Sequence, residues 1–211
     1  HKVGTGALNY LKKKRGLTDD TIKLFKLGYS PNDYTTLIKF LTKKGYKTND
    51  IFDSGLIIQS YNSNGYIDKF RNRLMFPFID NAQKTVGFTA RSLDGKDPKY
   101  LNTPETIIFH KQNYLYGLDK AKVNIKTQGS VFVEGQMDLI SAYQAGFKNV
   151  VASSGTAITT NQLKLLKRYS NEITFCLDSD NAGINAVYKG VELAEKQDFN
   201  IKVANIPKQF K

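Results

Sequence analysis

Cysteine occurs once in these 211 residues and histidine twice. A lone thiol, Cys176, excludes an intramolecular disulfide and any multi-cysteine zinc site within the stretch. Its place inside the apolar run Ile173 to Leu177 points to core packing. With His1 and His110 as the two imidazoles, a histidine-based nucleophilic or zinc mechanism has little to build on, and His110 is expected to be structural. No apolar run reaches the roughly 18 residues that would span a membrane. The opening His1-Lys2-Val3-Gly4 is not a charged-then-apolar leader. The expectation is a soluble, cytoplasmic protein with no membrane partner. Acidic residues are also scarce, 19 against 31 Lys and Arg, leaving a formal charge of +12.

That charge is unevenly spread. Residues 1–128 hold 22 Lys and Arg against 11 Asp and Glu, whereas residues 129–211 hold 9 against 8. A basic first part followed by a near-neutral second part suits a polyanion-binding surface joined to a unit that reserves its acids for another task. Charge alone leaves solubility as the competing explanation. With 40% apolar residues the chain can bury a core in one large or two smaller units.

Local patterning separates the same two parts. Up to about residue 55 the spacing predicts short helices. Ala7 to Arg15 closes at Gly16, and Thr18 caps a helix that carries Asp19 and Asp20 in its first turn and ends by Gly28 and Pro31. Tyr34 to Lys44 stops at Gly45, and one further turn after Thr48 stops at Gly55. Leu56 to Gln59, an Asn64-Gly65 turn, Leu74 to Ile79 and Thr85 to Ala90 then read as hairpin-connected strands. From Ser130 a strand-then-helix pattern recurs three times. The strands are Val131 to Val133, Asn149 to Ala152 and Ile173 to Leu177. The second helix opens on the capping-box pair Thr159 and Gln162, and the third repeats Val187, Val191 and Ala194 along one face. Ile201 to Ala204 is a fourth strand. Short, wholly apolar strands between amphipathic helices imply a parallel sheet covered on both faces. The expected fold is an α+β basic part, residues 1–128, followed by an α/β part with a mostly parallel sheet, residues 129–211.

In such a sheet functional groups gather beyond the carboxyl ends of the strands. Glu134 follows Val133 directly there, and Asp178 and Asp180 follow Leu177 with one residue between them. Alternate residues of an extended segment face the same way, so this pair can address one ion. Asp138 lies in the first turn of the next helix. Clustered carboxylates repel unless a cation or shared proton intervenes, and hard oxygen donors favour Mg2+ or Mn2+ over zinc. Two such ions about 3.5–4 Å apart activate a hydroxyl and stabilise a leaving pyrophosphate. The alternative is that Asp178 and Asp180 cap the following helix; the strand-final Glu134-Gly135 in the same unit favours the metal reading.

Three short segments of the second part, Glu134-Gly135-Gln136-Met137-Asp138, Ser154-Gly155-Thr156 and Asp178-Ser179-Asp180-Asn181-Ala182-Gly183, resemble the Toprim fold of primases, topoisomerases and some nucleases. Upstream, Phe70 to Pro77, Gly87-Phe88 with Arg91, and Pro98 to Thr106 through Phe109-His110-Lys111 resemble the polymerase core of bacterial DnaG-type primases. The resemblance covers nearly the whole chain in the family's order. It implies short RNA primers made on single-stranded DNA during replication, with Glu134 as general base or metal-positioning acid, Asp178 and Asp180 as metal ligands, and Asp138 in support. Arg71, Arg73, Arg91, Lys99, Tyr100, Asn102 and Lys111, with Arg15, are implied to meet nucleotide phosphates and primer-template. Implied partners are the single-stranded template, ribonucleoside triphosphates, the RNA–DNA hybrid, and a regulatory nucleotide at the triphosphate site. The implied place of work is the replication fork.

Gln136 stands where the family pattern has an aromatic residue, and Ser179 where glycine is usual; neither removes a charge. The family's separate zinc-binding module, its last acidic pair beyond the fourth strand and its helicase-binding tail are all expected to be missing from this stretch. The chain therefore reads as a fragment with incomplete metal occupancy. A Toprim nuclease or topoisomerase-like enzyme, and a weakly active binding module for single-stranded DNA or nucleotide, are the competing readings.

Overall fold

The computed structural model describes residues 2–61, 64–95, 97–155 and 157–204. His1, Thr156 of the expected turn, and the stretch after Ala204 lie outside them. The chain divides into two compact units, residues 1–78 with 85–110, and residues 79–84 with 111–211.

In the first unit α1 (Thr5–Asn9) runs directly into a π-helical turn, Tyr10–Lys14, where Arg15 N donates to Tyr10 O at 3.1 Å. Gly16 then reverses the chain with φ +66°. Thr18 caps α2 (Asp19–Leu24) as its type predicts, its hydroxyl accepting from Thr21 N at 3.2 Å. The expected end near Gly28 is corrected: α2 stops at Leu24, and Gly28–Ser30 forms β1, antiparallel to β4 (Arg73–Ile79). Pairing with a distant strand overrides local punctuation there. α3 (Thr36–Lys43) and α4 (Thr48–Asp53) end before Gly45 and Gly55 as expected. The start of α3 is held from afar by buried Asp68, which accepts from Leu37 N at 2.6 Å and Ile38 N at 2.9 Å.

A second correction concerns pairing. β2 (Ile57–Gln59) pairs with β3 (Tyr66–Asp68), unread in the sequence, as a separate two-stranded ribbon. The larger sheet has the order β1-β4-β5-β6, with β5 at Thr85–Ser92 and β6 at Tyr100–Asn102. Its core is aromatic: Phe76, Phe78 and Phe109 are buried, with Phe78 and Phe109 centroids 5.0 Å apart. Each such ring contributes about 1.5–3 kcal/mol through burial.

In the second unit β7 (Ser130–Val133), β8 (Val150–Ala152), β9 (Glu172–Phe175) and β10 (Asn200–Val203) form a parallel sheet of order β10-β9-β7-β8. Phe132, Val151, Ile173 and Phe175 pack against Leu163, Leu166 and Ala194, which come from α7 (Thr160–Lys167) and α8 (Asn181–Glu195). The capping box at the start of α7 is present, with Thr159 and Gln162 each bonding the other's backbone N–H. One helix went unread: α5 (Leu118–Gln128) buries Leu118, Ala121 and Ile125 in the same core. Residues 111–128, grouped by charge with the first part of the chain, thus pack in the second unit.

Candidate active site

The acids sit where sheet topology sends them. β7 and β9 are adjacent, so their carboxyl ends lie about 4.8 Å apart. Glu134 leaves β7, and α6 (Gln136–Gln144) begins two residues later; Asp178 and Asp180 leave β9 ahead of α8. The crossing from β9 into α8 is tight: a Cβ on Gly183 would fall 2.0 Å from the Asp178 carbonyl oxygen. Only glycine lets the backbone approach that closely.

Partial desolvation pushes the Glu134 carboxyl above its ordinary range, and the like charges of Asp178, Asp138 and Asp180 push it further, although much of the residue's surface is open. Glu134 therefore lies within electrostatic reach of all three aspartates. Two of them also have structural work. Asp180 is the N-cap of α8, with Oδ1 accepting from Gly183 N at 2.8 Å, so the capping reading holds for this residue. Asp138 Oδ2 accepts from Gly135 N at 3.1 Å at the start of α6. Each still has an oxygen outside its cap. Among the described residues no three His, Cys, Asp or Glu side chains converge closely enough to enclose one metal ion. The all-oxygen donor set and the like charges around Glu134 nevertheless suit a hard divalent cation.

Three buried polar side-chain atoms follow the strand ends of this unit. Gln136 Nε2, Ser154 Oγ and Ser179 Oγ are buried with no hydrogen-bond partner among the described residues. They follow β7, β8 and β9 respectively, and Gln136 and Ser179 are the two positions that depart from the family pattern. A cavity of about 150 Å³ opens beside Glu134, with Phe132, Ile158 and Leu177 in its wall.

The predicted cations fall mainly in the first unit. Arg91 and Tyr100 are direct cross-strand partners on β5 and β6, as are Thr89 and Asn102. Arg91 donates to Tyr100 Oη, and Thr89 Oγ1 donates to Asn102 Oδ1 at 2.6 Å. Arg91, Tyr100 and Asn102 thus share one face of the sheet, while Arg15 is exposed and donates to Tyr10 Oη. Lys99 is exposed. Arg71 lies over the Tyr34 ring at 4.8 Å and donates to Asp68 O. Arg73 is different: it is 8% exposed, donates to Pro98 O at 2.8 Å, and burial lowers its pKa. Little of its guanidinium faces solvent. Lys111 belongs to the second unit, where burial lowers its ammonium pKa. His110 Nδ1 lies 2.6 Å from Glu105 Oε2, which suits the structural part expected of it.

The chain matches two family models. Residues 1–122 match the DNA primase catalytic core, N-terminal domain, and residues 131–211 match a Toprim-like family. Among curated proteins, the DNA primase of Clostridium acetobutylicum is 44% identical over 92% of this chain and 32% of its own length. That of Synechococcus elongatus is 41% identical over 97% and 30%. The chain spans about a third of the length of these relatives. Among solved structures it is similar to the E. coli primase catalytic core, with a TM-score of 0.89 and 33% identity over 99% of this chain and 67% of that one. It is equally similar in sequence, at 33% identity and a TM-score of 0.86, to a DnaG primase catalytic domain bound to single-stranded DNA, over 99% of this chain and 66% of that one.

Proposed function

This chain belongs to the DNA primase catalytic core family, and from that premise we propose that it joins ribonucleotides into short primers on a single-stranded DNA template. The 3′-hydroxyl of one nucleotide attacks the α-phosphate of the next triphosphate, and pyrophosphate leaves. The observation that carries this reading is the gathering of acids beyond the adjacent strands β7 and β9, where Glu134 is pushed up by desolvation and by the charges of Asp178, Asp138 and Asp180. A group so arranged binds a proton or a cation.

Glu134, Asp178 and Asp180 would hold Mg2+, or Mn2+, with Asp138 in support. A divalent cation bound there would polarise phosphoryl oxygen and offset the charge of the acids. The remaining work belongs to the protein's own groups. Arg91, Lys99 and Arg15 offer cationic groups for phosphate, and Arg grips phosphate through two parallel N–H bonds where Lys acts as a point charge. Tyr100 offers a face for an unpaired base, and Asn102 braces the strand beneath it. Arg71 and Lys111 add charge, while buried Arg73 acts chiefly by holding Pro98 O.

The labour then divides between a basic stretch, 1–128, that engages nucleotide and template, and 129–211, which positions the metal. Most of the rate enhancement in such a site comes from positioning and charge stabilisation. By the same reading the RNA–DNA hybrid product and a regulatory nucleotide occupy the cationic surface, and the protein works at the replication fork in the cytoplasm. By the same reading, helicase contacts and zinc binding would fall to parts of the family's proteins outside this stretch.

De novo RNA synthesis on single-stranded DNA, with ribonucleoside triphosphates and Mg2+ or Mn2+, tests the proposal. Metal-dependent product from the parent and none from Asp178→Ala is the expected result. Equal product from both, or DNA cleavage without a need for ribonucleotides, would overturn it.

A further inference from the structure

A ring that no functional reading had used, Tyr10, lies at the meeting point of the first unit's cations. Its hydroxyl accepts from Arg15 Nε at 2.8 Å, and the Arg15 guanidinium carbon is 5.5 Å from the ring centroid. The Arg91 guanidinium carbon is 5.7 Å from the same centroid and 5.3 Å from that of Tyr100. Lys14 Nζ stands 5.9 Å from the Tyr10 centroid. Rings and cations therefore alternate as Arg15, Tyr10, Arg91 and Tyr100, linking a helix to a cross-strand pair about 80 residues later.

The π turn makes this arrangement possible. In a regular α-helix a residue five positions on lies about 140° round the axis, facing away. The wider turn, closed by Arg15 N on Tyr10 O at 3.1 Å, brings Arg15 back over Tyr10. Such turns recur at functional positions in helices. Two guanidinium groups held close together repel, and the electron-rich ring face compensates for part of that repulsion. Arg15 is exposed and Arg91 half-buried, so both keep donors for a ligand.

We infer that Tyr10 is the positioning residue that holds Arg15 and Arg91 as a paired clamp for consecutive phosphates of a single-stranded nucleic acid. The inference rests on the proposed polymerase reading for its ligand, and on the geometry above for its parts. Tyr10 touches the two arginines and acts through them. The hydroxyl aims Arg15, and the ring attracts both cations and so offsets part of their repulsion.

The test is the affinity of this chain for a single-stranded oligonucleotide across a salt series, for Tyr10→Phe, Tyr10→Leu and Arg91→Ala, with thermal unfolding run in parallel. Tyr10→Leu should weaken binding about tenfold and lower the log–log salt slope by about 0.7 for each phosphate that is no longer neutralised. Tyr10→Phe keeps the ring and should recover most of the affinity, losing about twofold through the missing hydroxyl. Adding Tyr10→Leu to an Arg15→Ala, Arg91→Ala background should cost nothing more.

A Tyr10→Leu protein that loses affinity at an unchanged salt slope would overturn the clamp. So would full additivity with the double arginine variant, or no loss by either Tyr10 variant while Arg91→Ala binds weakly. If Arg91→Ala itself binds like the parent, the cationic surface is wrong as a whole and the clamp falls with it. A lowered midpoint in Tyr10→Leu alone is resolved by Tyr10→Phe, whose smaller change must still appear in Arg15-dependent binding.

Discussion

The two units place their working side chains by different rules. The first, with 17 Lys and Arg against 9 Asp and Glu, sets its candidates along the faces of antiparallel strands and on a helical turn, where Arg91 opposes Tyr100 and Thr89 opposes Asn102. The second, with 14 against 10, sets its candidate acids beyond the ends of parallel strands. The second unit is not acidic as a whole. On the proposed reading, its chemistry would come from where four of its ten acids stand. A period of two along antiparallel strands lines up a surface that can follow an extended polyanion, whereas adjacent parallel strand ends focus charge on a point.

The contrast can be broken most severely at the focused end. Glu134→Ala or Asp178→Ala should lower primer synthesis at least about 10³-fold while single-strand affinity, measured by fluorescence anisotropy, stays within about twofold of the parent. A parallel fall in both would mean that the two kinds of site are not separate in function. Next in size is Gly183→Ala, whose methyl must push against the Asp178 backbone. A cost of about 2–3 kcal/mol is expected, which calorimetry should register as a midpoint lower by about 5–10 °C, together with lost synthesis. An unchanged midpoint would show that this turn opens without strain.

On the spread-out surface single changes should be milder. Arg91→Ala should weaken single-strand binding about tenfold and reduce the salt slope by about 0.7, with residual synthesis recoverable at high template concentration. Complete loss of synthesis at saturating template would move Arg91 into the chemical step. The smallest effect concerns pH. Because the folded protein holds the Glu134 proton more tightly than the unfolded chain does, ionising it costs stability as pH rises through and above the ordinary carboxylate range. Glu134→Gln should raise the midpoint by about 2 °C at pH 7 and by nothing below about pH 4, where the parent is protonated in both states. Destabilisation at pH 7 would contradict the repulsive cluster.

Much of the second unit was readable because its signals are local. Val131 to Val133 and Ile173 to Phe175 are wholly apolar apart from Thr174, and Thr159 with Gln162 announces α7 through bonds made within four residues. The carboxylates were readable because they closely follow such strands. α5 also carries a local signal, since Leu118, Ala121 and Ile125 recur at helical spacing and Gly129 closes them. In the first unit, β1, β3 and β6 have three residues each, and their existence depends on partners elsewhere in the chain. Nothing within Gly28–Ser30 announces Met75. Asp68 likewise reads as a surface acid until α3 arrives to use it. The Tyr10 cluster was hidden for a related reason, since helical spacing would have turned Arg15 away from it.

Asp180 ties the start of a 15-residue helix to the acid cluster, with one oxygen on Gly183 N and the other outside that cap. Whatever binds the second oxygen also restrains the first turn of α8. If an ion binds there as proposed, fraying of that turn and escape of the ion would become a single opening event, so the amide protons of Gly183 and Ile184 should exchange with solvent more slowly once metal is added. Occupancy could then be read from the backbone at rest, before a single phosphodiester bond is made.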